Sequence, residues 1–435
     1  MDAVLKRKKA TYHLWTFAIS KLISSFGAQV YTFAISFYIL QTTGSATSFA
    51  TNLICNLLPR ALAAPFAGYV ADRYSRKAIV IISQLATTAA IGGLLFVTLT
   101  IGLSLPAIFT TTCLLSLTST FSTVTFTSSV TGLVDEERIQ RAMSLNQMSM
   151  SFAAIGSPAV GGLLYGVVSM PVFLIMYMSA STIAVILEST MNFKLFAKQK
   201  EMVNAEENES MWQSMKAGLS YLKLKSVIMT IIWISLLINF FFGAFEVGYS
   251  YILIEKMKMA SQHFGITEGA FAAGMLLMSV YFSVRKEVAF PLLISKRGIL
   301  TLGALMGIVG FPLIVPLPYG LIFSFYVVLM FAFGAMVIMV NTPIQVMMQK
   351  QIEDEFKGRV FSILETMSLA LMPLAMVLYG FLYDIFPGQW ILLTSAAILI
   401  AIVLVLARPS VIRKAHPELY GRKSANTKAG LASYK

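Results

Sequence analysis

The sequence predicts an all-α membrane protein with 12 transmembrane helices in two six-helix bundles. Three observations predict it. Hydrophobic residues make up 57% of the 435, and charged residues only 12%, about half the charge of an average soluble domain. Twelve apolar stretches are each long enough, at about 18 residues or more, to cross roughly 30 Å of hydrocarbon. A charge-rich stretch at 194–226 divides them six and six, the layout of membrane proteins built from two helical halves. Little is left for a soluble catalytic domain.

The first predicted span, 12–40, follows a charged start, Met1 to Lys9. Its apolar run is of full span length and lacks a small-residue cleavage site, so it reads as a membrane helix and not a removable signal. Spans 49–70, 78–101, 105–133, 142–168 and 171–193 complete the first bundle, domain 1–193. The linker 194–226 contains Lys194, Lys198, Lys200, Glu201, Glu206, Glu207 and Glu209. Within it Met211, Met215, Leu219 and Leu222 repeat at helical spacing beside Trp212, which predicts an amphipathic helix on the inner membrane surface. Spans 227–250, 266–286, 298–316, 320–349, 359–383 and 390–408 form the second bundle, domain 227–408, and 409–435 is a polar tail. Between Arg285 and Arg297 the reading is a charged end to the eighth span, then a short apolar connector, Val288 to Ser295, along the interface.

The net charge of +13 raises nucleic acid as a partner, and its distribution excludes it. With the amino terminus inside, 29 of the 33 Lys and Arg fall on one side. The four others are Lys256 and Lys258 on the opposite side, and Lys21 and Arg60 within spans. That asymmetry obeys the positive-inside rule and places both termini in the cytoplasm of a multi-pass cell-membrane protein. The two cysteines, Cys55 and Cys113, lie in apolar spans, and His13, His263 and His416 are far apart in sequence. Neither set suits a disulfide framework or a metal site, and no cofactor is expected.

Two segments concentrate the informative residues. Gly68 to Lys77 packs Asp72, Arg73, Arg76 and Lys77 into a hinge between apolar spans. A glycine there permits close helix approach, and Asp72 is suited to accept hydrogen bonds from a helix N-terminus. Arg73, Arg76 and Lys77 are suited to bridge acids on other cytoplasmic loops, so the cluster reads as a conformational latch. In the fifth span, Gly156, Pro158, Gly161 and Gly162 lie in one run. Proline removes a helix hydrogen bond and bends the helix, and glycines let a neighbour approach closely.

The loop, G-x-x-x-D-R-x-x-R-K, resembles the loop between helices 2 and 3 of major facilitator superfamily transporters, with Ser75 where Gly or Asp is usual. The run Gly156-Ser157-Pro158-Ala159-Val160-Gly161-Gly162 resembles the antiporter signature of that superfamily's drug exporters, with Ser157 in place of a glycine. Ser36-Phe37-Tyr38 followed by Thr43 to Ala46 is similar to the macrolide-efflux branch, which also includes siderophore exporters. So are Leu133 to Gln147 and Gly358 to Ser362 leading to Met367 and Pro373. The resemblance implies export by alternating access. One departure stands out. Many proton-coupled drug exporters carry an arginine in span 4, whereas Leu114 to Thr131 holds 11 Ser or Thr from Ser116 onward and no Arg or Lys.

Charges within the membrane are costly and mark functional candidates. Glu246 in span 7 is a candidate to bind a cationic substrate or to carry a proton, because a short acid cannot reach far toward water. Lys21 and Arg60 have arms long enough to snorkel to the inner interface. Glu365 in span 11 suits a pairing with Arg359 or with the latch, and Glu188 is placed near the inner interface. The resemblance puts the first and fourth helices of each half around a cavity. On those helices Gln29, Asn239, Asn341 and Gln345 are candidate polar contacts, and Asn341 and Gln345 share a face. Phe33, Tyr38, Phe242 and Phe245 are candidate aromatic walls. Such a lining suits an amphipathic organic substrate better than a sugar.

The expected function is therefore efflux of drug- or macrolide-type small molecules, with protons as the exchanged ion, the bilayer as solvent and a monomer as the working unit. Two alternatives stay open: export of a siderophore, peptide or lipid-like metabolite, and a membrane sensor or assembly subunit without transport. No phosphate-binding glycine loop, HExxH sequence or convergent serine–histidine–acid set points to an enzyme.

Overall fold

The computed structural model describes residues 3–193, 195, 196, 220, 222, 225–285, 288–353, 360, 363, 364, 366, 367 and 370–415. The predicted amphipathic linker helix and Glu365 lie outside them, except that Ser220 and Leu222 are helical. The described chain is almost entirely helical, as it must be where hydrocarbon offers no hydrogen bonds to the backbone. In chain order the helices are α1 Ala3–Thr43, α2 Ala46–Arg73, α3 Arg76–Thr100, α4 Leu105–Leu133, α5 Glu136–Val167 and α6 Met170–Ser189. They continue with α7 Ser226–Tyr251, α8 Ser261–Val284, α9 Pro291–Ile308, α10 Tyr319–Gln351, α11 Met372–Ile385, α12 Gly388–Leu406 and α13 Pro409–Ala415. Each of the twelve predicted spans overlaps one of α1 to α12. Ten described helices are long and apolar enough to cross a membrane, and α11 is a shorter apolar one. Large apolar side chains such as Phe66, Phe96 and Val405 are more than two-thirds exposed, a surface suited to lipid rather than water.

Local chemistry sets the ends. Pro106, Pro171, Pro291 and Pro373 each occupy the first turn of a helix, where a missing N–H is harmless. Ser45 accepts from the Ser48 N–H at 3.2 Å to start α2. Gly44 closes the turn before it at φ +60°, a conformation that other residues rarely adopt. The sequence reading of the segment before α9 needs a correction. Pro291 to Ser295 are not a connector but the opening turns of α9, because Pro291 favours a helix start. The ninth span is instead interrupted at its far end, where Gly310 and Pro312 set off the short turn Phe311–Ile314. In α7 the last turn widens into a π-helix, Ile252–Lys256.

The chain divides into two compact units: Met1–Ala205 with Ser250–Gly269, and Glu206–Tyr249 with Ala270–Lys435. In the first, α1 packs along α5 and α6, α2 lies on α4, and α3 lies between α4 and α6. Its α3 contacts are polar as well as apolar. Gln84 Nε2 donates to Ser181 Oγ at 2.8 Å, and the Thr88 and Thr87 hydroxyls lie 2.7 Å from those of Ser181 and Thr118. Much of the Ser/Thr content of α4 turns back on its own helix. Thr120 donates to the Ser116 carbonyl at 2.7 Å, and Thr127 to the Thr123 carbonyl at 2.9 Å, satisfying the hydroxyls locally.

In the second unit α9 packs on α10 and α12, the same neighbours, fourth and sixth, that α3 has in the first. Helices α8 and α10 approach backbone to backbone. A Cβ on Gly274 would lie 2.1 Å from the Phe331 carbonyl oxygen, and one on Gly334 2.0 Å from that of Phe271. Phe245 stacks on Phe333 with centroids 4.1 Å apart. Tyr383 donates to the Ala244 carbonyl at 2.7 Å and Tyr326 to that of Val309 at 2.8 Å, so these buried phenols are anchored.

Candidate functional site

The hinge at 68–77 is a two-residue connection, Tyr74 and Ser75, between α2 and α3. Ser75 caps α3 by accepting from the Ala78 N–H at 3.5 Å, a role that serine fills well. The Arg73 guanidinium lies 4.3 Å over the Tyr69 ring. Arg76 Nη1 donates to the Ser128 carbonyl at 2.8 Å, near the end of α4, where a cation is favoured by the helix dipole. Lys77 is half-buried. Asp72 occupies the last turn of α2, and its side chain lies outside the described residues. An acid in a last turn opposes its own helix dipole, so its presence there asks for compensation from another element. Gly68 departs from expectation: among the described residues, a Cβ there would meet nothing within 4 Å, so no described helix approaches it closely.

The glycine–proline run of α5 does serve close packing. Pro158 lies inside the helix. A Cβ on Gly156 would come within 3.2 Å of the Phe26 ring, and one on Gly161 within 3.0 Å of Phe33. Gly162 is tighter still, with a Cβ position 2.3 Å from the Ser261 carbonyl oxygen. Gly265 mirrors it at 2.4 Å from the Pro158 carbonyl oxygen. Ser261 Oγ donates to the Gly162 carbonyl at 2.9 Å. The run thus joins α5 both to α1 and to the first turns of α8, within the first unit.

Among the predicted contact residues, Gln29 is exposed on α1, and Asn341 and Gln345 are both exposed on α10, one turn apart. Asn239 on α7 is half-buried, and its Nδ2 donates to the Ser235 carbonyl at 2.9 Å. Glu246, two turns further along α7, is also half-buried, and its Oε2 is sealed without a hydrogen-bond partner. Asn239 and Glu246, seven residues apart, share a face of α7. Phe245 is buried against Phe333 and Tyr249, and half-buried Phe242 packs on Phe245, so these rings pack on one another more than they form an open wall. Phe33 likewise packs on Phe264 and Phe37. Arg60 is exposed on α2.

The model of the Major Facilitator Superfamily matches residues 17–374. The chain belongs to the Major Facilitator Superfamily. This facilitator is similar to macrolide efflux protein A of Streptococcus pyogenes, 26% identical over 404 residues, which cover 93% of this chain and 96% of that one. It is also similar to the uncharacterized MFS-type transporter YfiS of Bacillus subtilis, 25% identical, covering 90% and 91% of the two chains. Among solved structures, a bacterial homologue of the iron transporter ferroportin in its inward-facing state superposes with a TM-score of 0.65. Identity there is 14%, and 91% of this chain and 98% of that one are covered. A POT family transporter in complex with a thioalcohol-conjugated peptide superposes at 0.66, with 11% identity, over 92% and 96%. At such identities the structures share the fold.

Two charged residues of this facilitator do not sit where sequence reasoning put them. Lys21 was expected to snorkel, yet it is only 8% exposed, with its ammonium 4.7 Å over the Phe126 ring. Glu188 was expected at the interface, yet it is 1% exposed and accepts from Ser20 Oγ at 2.7 Å. The reason is α6 itself, whose buried face runs Tyr177, Ser181, Ala184 and Glu188. That spacing is visible in the sequence, and extending the helical face to its last turn would have placed Glu188 inside.

Proposed function

We propose that this chain is a secondary transporter that moves amphipathic small molecules out of the cytoplasm by alternating access, in exchange for protons. The observation that carries the reading is Glu246: a carboxyl in a membrane span, with one oxygen sealed and without a hydrogen-bond partner among the described residues. An acid there is expensive unless it has work to do. Loading and unloading a proton at Glu246, or trading the proton for a cationic substrate, is work of that kind. The outward direction is supported by the relative named for macrolide efflux and by the resemblance of Gly156 to Gly162 to the antiporter signature of drug exporters.

In this reading Gln29, Asn239, Asn341 and Gln345 supply the few polar contacts of the cargo site. The hinge at Asp72, Arg73, Arg76 and Lys77 biases one arrangement of the helices. Both termini lie in the cytoplasm, and the working unit is a monomer in the cell membrane. Asp72→Asn tests the hinge. Removing a charge at a helix end shifts an equilibrium by about 1–2 kcal/mol, a factor of roughly 5–30. Efflux from cells expressing this variant should fall severalfold while its membrane level stays that of the parent. Unchanged efflux removes the latch role. The cargo class is tested by the resistance profile of expressing cells, in which raised tolerance to macrolides or dyes is the expected result.

A further inference from the structure

The seam between α1 and α6 holds polar groups that the proposed site does not use. On α1, His13, Ser20, Ser24 and Tyr31 recur at spacings that return to one helix face. The buried face of α6 runs Tyr177, Ser181, Ala184 and Glu188. The two faces meet. Tyr31 and Tyr177 rings lie 5.3 Å apart, and Gly27 leaves room for Tyr177, whose ring a Cβ there would approach to 3.0 Å. Ser20 Oγ donates to Glu188 Oε1 at 2.7 Å. Glu188 Oε2 is sealed without a partner, as are both ring nitrogens of His13 and the Ser24 hydroxyl. Beside them Lys21 rests on Phe126, which itself packs on Phe17 and Phe193.

Burying an acid and an ammonium costs several kcal/mol per ion unless they pair well, and no direct ion pair joins these two. Lys21 adjoins Ser20, the residue that donates to Glu188, along α1. Among the described residues, the other elements against α6 bring little charge. Along its span α3 offers neutral Ser83, Gln84, Thr87 and Thr88, with Arg76 and Lys77 only at its start. Lys9 lies one turn before His13 on α1. At the start of α5, Arg138 pairs with Asp135, and Arg141 lies over Trp15.

We propose that Glu188 is a proton-binding site of the first unit, held by Ser20, with the Lys21 cation next to Ser20 along α1. The chain then carries a protonatable carboxyl in each unit, Glu188 and Glu246. Binding forms an O–H bond at Oε2 and release breaks it, with water on the accessible side supplying and accepting the proton. Oε1 stays committed to Ser20 throughout. Lys21 is a positioning residue, since it acts on the proton only through Glu188. This deepens the proton-exchange reading and rests on it for its purpose, but not for its test.

The test is infrared spectroscopy of the purified full-length protein, titrated with pH, following the C=O stretch of protonated carboxylic acids. The expected result is a titrating band that loses one carboxyl's amplitude in Glu188→Gln and keeps that amplitude in Glu246→Gln. A titration unchanged by Glu188→Gln overturns the proposal. Lys21→Met, which leaves the carboxyl in place, covers the case in which Glu188→Gln does not fold. It should move the midpoint of the Glu188 band, and an unmoved midpoint counts against the site. Vesicle transport separates the two ideas. Transport driven by a pH gradient together with a band indifferent to Glu188→Gln sinks the site and leaves the proton-exchange reading. The expected band without such transport does the reverse.

Discussion

Glu246→Gln is expected to reduce pH-driven transport to the level of protein-free vesicles, while substrate exchange without a gradient persists. Glutamine keeps the shape and the hydrogen-bonding reach of the acid but cannot change charge. The packing among Phe242, Phe245 and Phe333 should therefore survive, and the melting temperature should stay close to that of the parent. The measurement is paired: accumulation under a pH gradient, and counterflow of labelled against unlabelled substrate. Equal loss of both would make Glu246 a binding or folding residue. Loss of neither would free it from any part in coupling.

The second large effect is mechanical. Gly162→Ala places a methyl 2.3 Å from the Ser261 carbonyl oxygen, a backbone atom that cannot turn aside. Overpacking of this kind costs about 1–3 kcal/mol, and the Ser261–Gly162 hydrogen bond at 2.9 Å is disturbed with it. A lowered melting temperature and severely reduced transport are expected, with Gly162→Val worse than Gly162→Ala. Gly68→Ala is the control, because nothing lies within 4 Å of its Cβ position. In a helix interior that change should be stabilising by about 0.5–1 kcal/mol. If Gly162→Ala melts like the parent, the close approach of α5 and α8 is not a constraint on this fold.

Much of the fold was legible because hydrocarbon imposes a simple rule. Long apolar runs must be helices, and their lengths and separating turns are written in the sequence. The exceptions have local causes. Pro291 reads as a break in an apolar run, yet in a first turn it begins α9. The site was legible in part. The α5 glycines announce tight packing, but the partner, Ser261 to Gly265, is about a hundred residues away and carries no local signal. Gly68 looks like the same device and meets nothing. Glu246 stood out because it is a short acid in a long apolar run. Glu188 did not, because its position near a helix end suggested water, although its register with Tyr177, Ser181 and Ala184 puts it on the buried face of α6.

The most direct test of the central claim uses purified protein in liposomes with an acidic lumen, loaded from outside with labelled macrolide. Protein-free liposomes run in parallel, because basic drugs are trapped by acid without any carrier. Proton antiport predicts accumulation well above the protein-free level, abolished by a protonophore, absent in Glu246→Gln, and accompanied by proton efflux from the lumen. Accumulation that matches protein-free liposomes, or that ignores the protonophore, would contradict the account.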